Sequence, residues 1–352
     1  MTGLVSIIIP TFDRPRYLGE AIESALAQTY RDVEVLVFDN GNLPETLAVG
    51  EEAAQRDLRV RFRRNEHNLG MSGNFNALAA AARGEFLIAI GDDDRLLPSF
   101  VERLVGAMTP SARVAFSNHY LIDSDGRRLE PESVAYNQRY SRDTLPPGLL
   151  QSPQAAAWRQ SIPMSASLLR TADMQRLRFR EDLNAPDTEY FIRLATEGAD
   201  FVFVPDYLME YRVHLGAESV SGLWSEQLVE CLTPVAVKAE VEPYKRQFLT
   251  PMVVNGVSRC LQQGNMEMAR KLLHNKYYPR RNRNGAVTGA GGTTPELDRR
   301  FSPRGSAGRD LRYRLGSLLQ GFCANLPASL GAPIYRAVRR ATLAGGTGKR
   351  RA

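Results

Sequence analysis

Three apolar runs, Leu4–Ile9, Val33–Phe38 and Phe86–Ile90, constrain this chain most. Each is rich in Val, Ile, Leu or Phe, and the first two carry a single polar residue apiece, Ser6 and Glu34. Strands of this composition must be covered on both faces, as in a parallel sheet between helices. Helical patterns separate them. Arg16–Gln28 places Leu18, Ala21, Ile22, Ala25 and Leu26 at helical spacing, and Thr46–Gln55 reads as a second helix. Val60–Arg63 is a short strand. Ser72–Arg83 is an Ala-rich helix for which Ser72 is the expected N-cap, and Ser99–Met108 is the next helix. Strand–helix alternation up to about residue 110 predicts an α/β, Rossmann-like, mostly parallel sheet flanked by helices.

Beyond residue 110 the pattern loosens. Arg113–Ser117 and His119–Ile122 are expected strands. Tyr136–Pro153, polar and Pro-containing, reads as a long loop over a site. A short helix is expected at Gln154–Gln160 and an apolar segment at Met164–Leu169. Helices follow at Ala172–Leu177 and Thr188–Thr196, then a strand at Phe201–Val204 closed by Pro205. Gln227–Val237, Lys245–Gln262 and Met266–Leu273 read as helices.

Three widely spaced cysteines, Cys231, Cys260 and Cys323, form neither a disulfide framework nor a metal-ligand pattern. The opening residues lack the features of a signal peptide, and no apolar run is long enough to span a bilayer, so a cytoplasmic protein is expected. The net charge of +6 is unevenly distributed. From Arg270 onward 18 Lys and Arg face three acidic residues, whereas the remainder has 27 against 36. The basic end is expected either to be a solvated tail or to approach an anionic surface, including the inner face of a membrane. Sparse aromatic interleaving argues against nucleic acid.

The chemistry gathers at the expected strand ends. Phe86–Ile90 runs into Gly91 and then Asp92, Asp93 and Asp94. Clustered carboxylates at the end of a buried strand repel one another, and a hard divalent cation such as Mg²⁺ or Mn²⁺ relieves that repulsion. The alternative is a solvated acidic turn or helix cap. The other strand ends carry Thr11-Phe12-Asp13-Arg14, Asp39-Asn40-Gly41 and, after the short strand, Asn68-Leu69-Gly70. In a parallel sheet these share one edge, where ligands bind. Thr11, Asp39, Asn68 and Asp93 are therefore expected to converge on a nucleotide.

These blocks resemble the inverting family-2 glycosyltransferases of GT-A fold. The resemblance rests on Val5–Pro15, on Ala25–Tyr30, on Glu34–Gly41, on Asn68–Gly70, on Ala82–Phe86, and on Gly91–Asp94 followed by Leu96-Leu97-Pro98. It spans roughly residues 4 to 220 and is strongest to about 110. It implies a GT-A domain over 1–222, with a donor half to about 110 and an acceptor half over 111–222. Behind this the chain is expected to form a helical extension over 223–280, a flexible basic linker over 281–310 and a basic amphipathic tail over 311–352. The resemblance implies donor contacts from Thr11, Asp13, Arg14, Asp39, Asn68, Gly70, Asn74 and Asp92. Metal contacts are implied for Asp93 and Asp94, and for His214 of the Tyr211-Arg212-Val213-His214 block. The sequence departs from the family where Gly91 stands for a frequent aspartate.

Asn184–Leu194 is similar to the family block that carries the general base. The base position falls on Asp187, with Glu189 as a second candidate, and Pro186 replaces the usual acidic neighbour. Read without the resemblance, Asp187 is a helix N-cap and Glu189 a first-turn partner of the helix dipole. His119, Asn118 and Trp158 are candidates for the acceptor side. The implied activity moves a sugar from a nucleotide-diphosphate donor, UDP being the commonest, to an acceptor hydroxyl of a glycan or lipid-linked glycan, as in surface polysaccharide synthesis. Two other readings stand beside it, a catalytically weak nucleotide-sugar-binding scaffold and a nucleotidyltransferase.

Overall fold

The computed structural model describes residues 3–213, 226–281 and 287–288. The N-terminal half runs β1 (Val5–Thr11), α1 (Pro15–Leu26), β2 (Val33–Asp39), α2 (Pro44–Arg56), β3 (Val60–Arg64), α3 (Gly70–Ala81), β4 (Phe86–Ala89), β5 (Arg95–Leu96) and α4 (Phe100–Ala107). There follow β6 (Ala112–Ile122), α5 (Glu130–Arg139), a 3-10 turn at Arg142–Thr144, β7 (Gly148–Leu149), α6 (Pro153–Trp158), β8 (Ser167–Arg170), α7 (Thr171–Leu177), α8 (Pro186–Thr196) and β9 (Asp200–Arg212). Helices α9 (Glu226–Leu232), α10 (Glu242–Gln262) and α11 (Met266–Leu273) complete the described fold, apart from a short antiparallel pairing of Arg280–Arg281 with Val287–Thr288.

Nine strands form one sheet, ordered β3-β2-β1-β4-β8-β6-β9-β5, with β7 pairing on β9. The long ladders, β1 with β2, β2 with β3 and β6 with β9, are parallel, as is β1 with β4. The short ladders of β8, β5 and β7 are antiparallel. The expected α/β sheet between helices is therefore present.

Strand alternation divides the core. Val5, Ile7 and Ile9 pack with Leu18, Ala21 and Ile22 of α1 on one face. Ile8, Leu36 and Phe38 pack with Leu78 and Ala79 of α3 on the other. The two polar residues of these strands satisfy each other. Ser6 Oγ donates to Glu34 Oε1 at 2.7 Å, and the backbone N–H groups of Arg83 and Gly84 donate to Glu34 and Ser6 at 2.7 and 2.9 Å. Burial pushes the Glu34 carboxyl up, but bonds from Ser6 and Arg83 outweigh it and hold it below its ordinary range. Helices α9 to α11 share the α3-side core with α8, through Leu228, Leu232, Leu249 and Val253 beside Tyr190 and Phe191.

Several local expectations are corrected. Helix α3 begins at Gly70, so Ser72 lies buried within its first turn, and Leu69 takes the cap position without a side-chain bond. The expected loop over Tyr136–Pro153 instead holds the end of α5, the 3-10 turn and β7, because Asn137 and Arg142 in it are buried and hydrogen-bonded. The two expected strands after residue 112 are one strand, β6, with register shifts around Asn118. Strand β9 does not stop at Pro205. Ser117 pairs with Val204 and Asn118 with Tyr207, so Pro205 sits in a bulge, where its missing N–H costs no ladder bond. The expectations for the linker and tail fall almost wholly outside the described residues.

Gly84 is packed against backbone. A Cβ there would lie 2.6 Å from Leu4 O and 2.7 Å from Ser6 N. Gly84→Ala is expected to destabilise the fold by about 1–3 kcal/mol, read as a lowered urea midpoint at unchanged slope.

Candidate active site

The ends of β1 and β4 bring Thr11, Phe12 and the aspartate turn together. Thr11 Oγ1 donates to Asp92 Oδ2 at 2.7 Å, and Phe12 N–H to the same oxygen at 3.4 Å. Arg14 Nη1 bridges the pair, 3.2 Å from Asp92 Oδ1 and 3.1 Å from Asp93 Oδ2. Burial, then the neighbouring Asp93 charge, pushes the Asp92 carboxyl up to about 6. Asp94 turns elsewhere. Its Oδ1 accepts the Arg212 N–H at 3.0 Å, and it also accepts bonds from Ser165 and Gly91. Burial and Asp93 still raise it well above the ordinary carboxylate range.

The wall beside β2 is built from amides. Asn40 Nδ2 donates to Gly70 O at 3.0 Å, Asn65 Nδ2 to Asn40 Oδ1 at 2.8 Å and to Asn74 Oδ1 at 3.0 Å, and Asn74 Nδ2 to Phe38 O at 2.9 Å. Asn68 Oδ1 accepts the Gly70 N–H at 2.8 Å, and Gly70 is at φ +70°, a conformation glycine adopts freely. Asp39 is wholly buried beneath this wall. Arg64 donates to its Oδ2 through Nε and Nη2 at 3.0 and 2.9 Å, and Gly41 N–H to its Oδ1 at 2.8 Å. Asp13 staples the two loops, its Oδ1 accepting the N–H groups of Asn42 and Leu43 at 3.0 and 2.9 Å.

From the second half, α8 presents Asp187 in its first turn, just after Pro186. Asp187 is half-buried, and burial raises its carboxyl above the ordinary value of 3.8 against the bonds from its own and the Thr188 N–H. Glu189, one step on, pairs with Arg193 at 3.0 Å.

These parts enclose a cavity of about 690 Å³, within the range of small-molecule sites. Of the expected residues, Thr11, Arg14, Asn68, Gly70, Asn74, Asp92, Asp93, Asp94 and Asp187 line it. Asp13, Asp39 and Glu189 do not, because each is committed to the internal partners given above. His214 lies outside the described residues. Of the acceptor candidates, His119 lines the cavity. Trp158 is core, packed against Phe248 at 5.9 Å, and Asn118 Nδ2 donates to Pro205 O at 2.8 Å. The sequence reading did not single out Phe12 as a contact, nor Asn40, Met71, Tyr136, Tyr140, Arg142 and Tyr211, all of which line the cavity. Phe12 and Asn40 stand inside the strand-end blocks and were findable there. Tyr136, Tyr140 and Arg142 fall in the stretch expected as a loop over a site, which singled out no residue, and Met71 and Tyr211 lie on a helix and a strand whose patterns report packing only.

No group of three Asp, Glu, His or Cys side chains converges as a preformed metal cage among the described residues. Asp92 and Asp93 nevertheless fit a hard cation. They are paired buried oxygen donors whose repulsion is met here by Arg14. Two carboxylates suit Mg²⁺ or Mn²⁺, which take their remaining ligands from water and substrate phosphates.

A family model described as glycosyl transferase family 2 matches residues 6–162. An uncharacterised glycosyltransferase of Methanocaldococcus jannaschii is 26% identical over 219 residues, covering 60% of this chain and 71% of that protein. The GalNAc(5)-diNAcBac-PP-undecaprenol beta-1,3-glucosyltransferase of Campylobacter jejuni is 32% identical over 123 residues, covering 35% of this chain and 40% of that protein. Among solved structures, S. aureus TarS 1–349 with UDP-GlcNAc superposes with a TM-score of 0.58 at 16% identity, covering 98% of this chain and 93% of that one. Residues 6–162 carry a glycosyl transferase family 2 domain, and the chain has the GT-A fold.

Gly91, the departure from the family pattern, has a steric reason. A Cβ there would lie 2.7 Å from Asp93 Oδ1 and 3.2 Å from Asp94 Oδ2. Restoring the family residue with Gly91→Asp is expected to lower Tm by ~2 °C or more without raising turnover. Thermal unfolding beside nucleoside diphosphate release checks both.

Proposed function

We propose that this family-2 glycosyltransferase transfers a sugar from a nucleoside-diphosphate donor to an acceptor hydroxyl with inversion, and that the reaction depends on a divalent cation. The observation that carries the reading is a single cavity lined by Asp92 and Asp93 from one half of the chain and Asp187 from the other. The donor diphosphate would lie by Arg14, Asp92 and Asp93, with the nucleoside along Thr11, Asn40 and Asn68. Phe12, half-exposed at the mouth, offers a ring for the base. Asp39 would act through the wall, by holding Arg64 and Gly41 in place.

Asp187 takes the proton of the acceptor hydroxyl. The oxygen then forms a bond to the anomeric carbon as the bond to the diphosphate breaks, and the electron pair leaves with the diphosphate. A base of this kind contributes about 10²–10⁴ in rate, and a carboxyl raised toward neutrality holds the proton more firmly than an exposed one. Asp92 and Asp93 would hold Mg²⁺ or Mn²⁺, which when bound supplies Lewis-acid neutralisation of the charge on the departing diphosphate. Arg14 adds a fixed positive charge at the same place. An acceptor of glycan or lipid-linked type is supported by the Campylobacter relative, whose name gives an undecaprenol-linked glycan. No helix among the described residues is long and apolar enough to cross a membrane.

Screening nucleotide-sugars with Mn²⁺ for nucleoside diphosphate release tests the reading, and a chain that releases none from any donor with any acceptor refutes it. Asp187→Asn is expected to cut turnover by about 10²-fold or more while donor affinity, read by calorimetry, is unchanged. Asp93→Ala is expected to weaken donor and Mn²⁺ binding together. The base works ionised, so activity falls as pH drops through its raised value. The acid limb of kcat/KM is therefore expected above the ordinary aspartate value of 3.8, and a limb at or below that value removes Asp187 from the role.

A further inference from the structure

One corner of the cavity carries a cation for which the reaction as described has no use. Arg142, in the 3-10 turn after α5, is only 2% exposed yet lines the cavity. Its Nε donates to Asn137 Oδ1 at 2.8 Å and its Nη1 to Ser161 O at 3.2 Å. Both acceptors are neutral. Nη2 is buried without a partner, and among the described residues no carboxylate pairs with this guanidinium. Asn137 is itself fixed, its Nδ2 donating to His119 O at 2.9 Å and to Ser133 O at 2.7 Å, so the fork is held in one orientation. Burial lowers Arg142 only to about 10, so it keeps its charge at neutral pH.

The surroundings are aromatic. The Arg142 guanidinium carbon lies 5.4 Å from the Tyr140 ring centre, and Tyr136 stands 4.9 Å from Tyr140. His119 lies 5.3 Å from Tyr136 and 5.6 Å from Tyr211. Both His119 ring nitrogens are buried without partners. Burial, then Arg142, holds this imidazole well below its ordinary pKa, so it is neutral and offers one donor and one acceptor. A buried charge without a counter-charge is costly, and a protein retains one where a ligand supplies the opposite charge.

We propose that Arg142, with His119 and the rings of Tyr136, Tyr140 and Tyr211, forms a subsite for an anionic group on the acceptor, a sugar carboxylate or a phosphate ester. Arg142 Nη2 meets the anion, His119 meets a hydroxyl, and the rings flank the sugar. The subsite is assigned to the acceptor because all five residues lie after residue 110, on β6, α5, the 3-10 turn region and β9, whereas the residues proposed for the diphosphate stand at the ends of β1 and β4. The inference rests on the proposed transfer reaction for the meaning of "acceptor", and its test is separable from that reaction.

The test titrates the full-length chain, saturated with UDP and Mn²⁺, with two matched pairs of probes observed by NMR: methyl β-D-glucuronide against methyl β-D-glucoside, and glycerol 3-phosphate against glycerol. At least one anionic probe is expected to bind about tenfold or more tightly than its neutral partner, and the pair showing the preference identifies carboxylate or phosphate. Arg142→Gln should abolish the preference while leaving UDP–Mn²⁺ binding intact. Equal binding of charged and neutral probes by the wild type overturns the proposal, whether or not the variant folds. So does a preference that survives Arg142→Gln, or one present without nucleotide and lost when UDP binds, which would place the anion in the donor site. Where UDP does not bind, the titration is made with GDP or dTDP, and failure of all three to bind with Mn²⁺ counts instead against the proposed reaction.

Discussion

Three carboxylates in one turn at the end of a buried strand are the constraint around which the site is arranged. Left without counter-charges, Asp92, Asp93 and Asp94 would oppose one another at a few ångströms in a medium that screens poorly. The fold separates their fates. Asp94 is turned inward to the Arg212 N–H and Ser165, which ties the end of β4 to the end of β9. Asp92 and Asp93 face the cavity, where Thr11 and Arg14 meet them from β1 and the loop that follows. Arg212 reinforces the arrangement by donating from Nε to Asp93 O at 2.7 Å. One aspartate thus becomes part of the frame while its neighbours remain available to a cation and a diphosphate. Gly91 is the steric condition for this turn, since the carboxylates fold back over its missing side chain.

The same logic separates Asp187 from Glu189. Both stand in the first turn of α8, where the helix dipole favours negative charge. Glu189 is one helical step out of line with the cavity and is satisfied by Arg193, so although burial raises it, its charge is already answered. Among the described residues Asp187 receives only backbone N–H bonds. A carboxylate held that way is oriented without being neutralised by a cation, which suits a group that must accept a proton and give it up again.

Sequence alone went furthest where one pattern had one meaning. Continuous apolar strands separated by helices can hardly be placed other than in a parallel sheet, and in such a sheet the polar residues after each strand share an edge. Thr11, Arg14, Asn68 and the aspartates were legible for that reason. What sequence could not separate was residues that touch a ligand from residues that hold those residues. Asp13 and Asp39 stand in the same blocks as Thr11 and Asn40, yet their carboxylates are consumed by loop N–H groups and by Arg64. Pattern fixes which end of a strand a side chain stands at, whereas rotamer and local partners decide whether it reaches solvent. The second half was harder, because short antiparallel ladders and the bulge at Pro205 break the periodicities that identify strands.

Arg142 shows the same difficulty from the other side. In sequence it is one more polar residue in a stretch rich in Tyr, Arg and Pro, and the expectation was a long loop over a site. The stretch is instead ordered by the network of Asn137, Ser133 and Ser161 around the guanidinium. Those bonds to neutral groups account for the orientation of Arg142 but not for its charge, since a neutral donor of similar shape would serve them at lower desolvation cost. Orientation without a counter-charge also describes Asp187. The cavity therefore holds a guanidinium and a carboxylate, each fixed in orientation and neither paired with an opposite charge among the described residues, which leaves the substrate to complete the electrostatics of both.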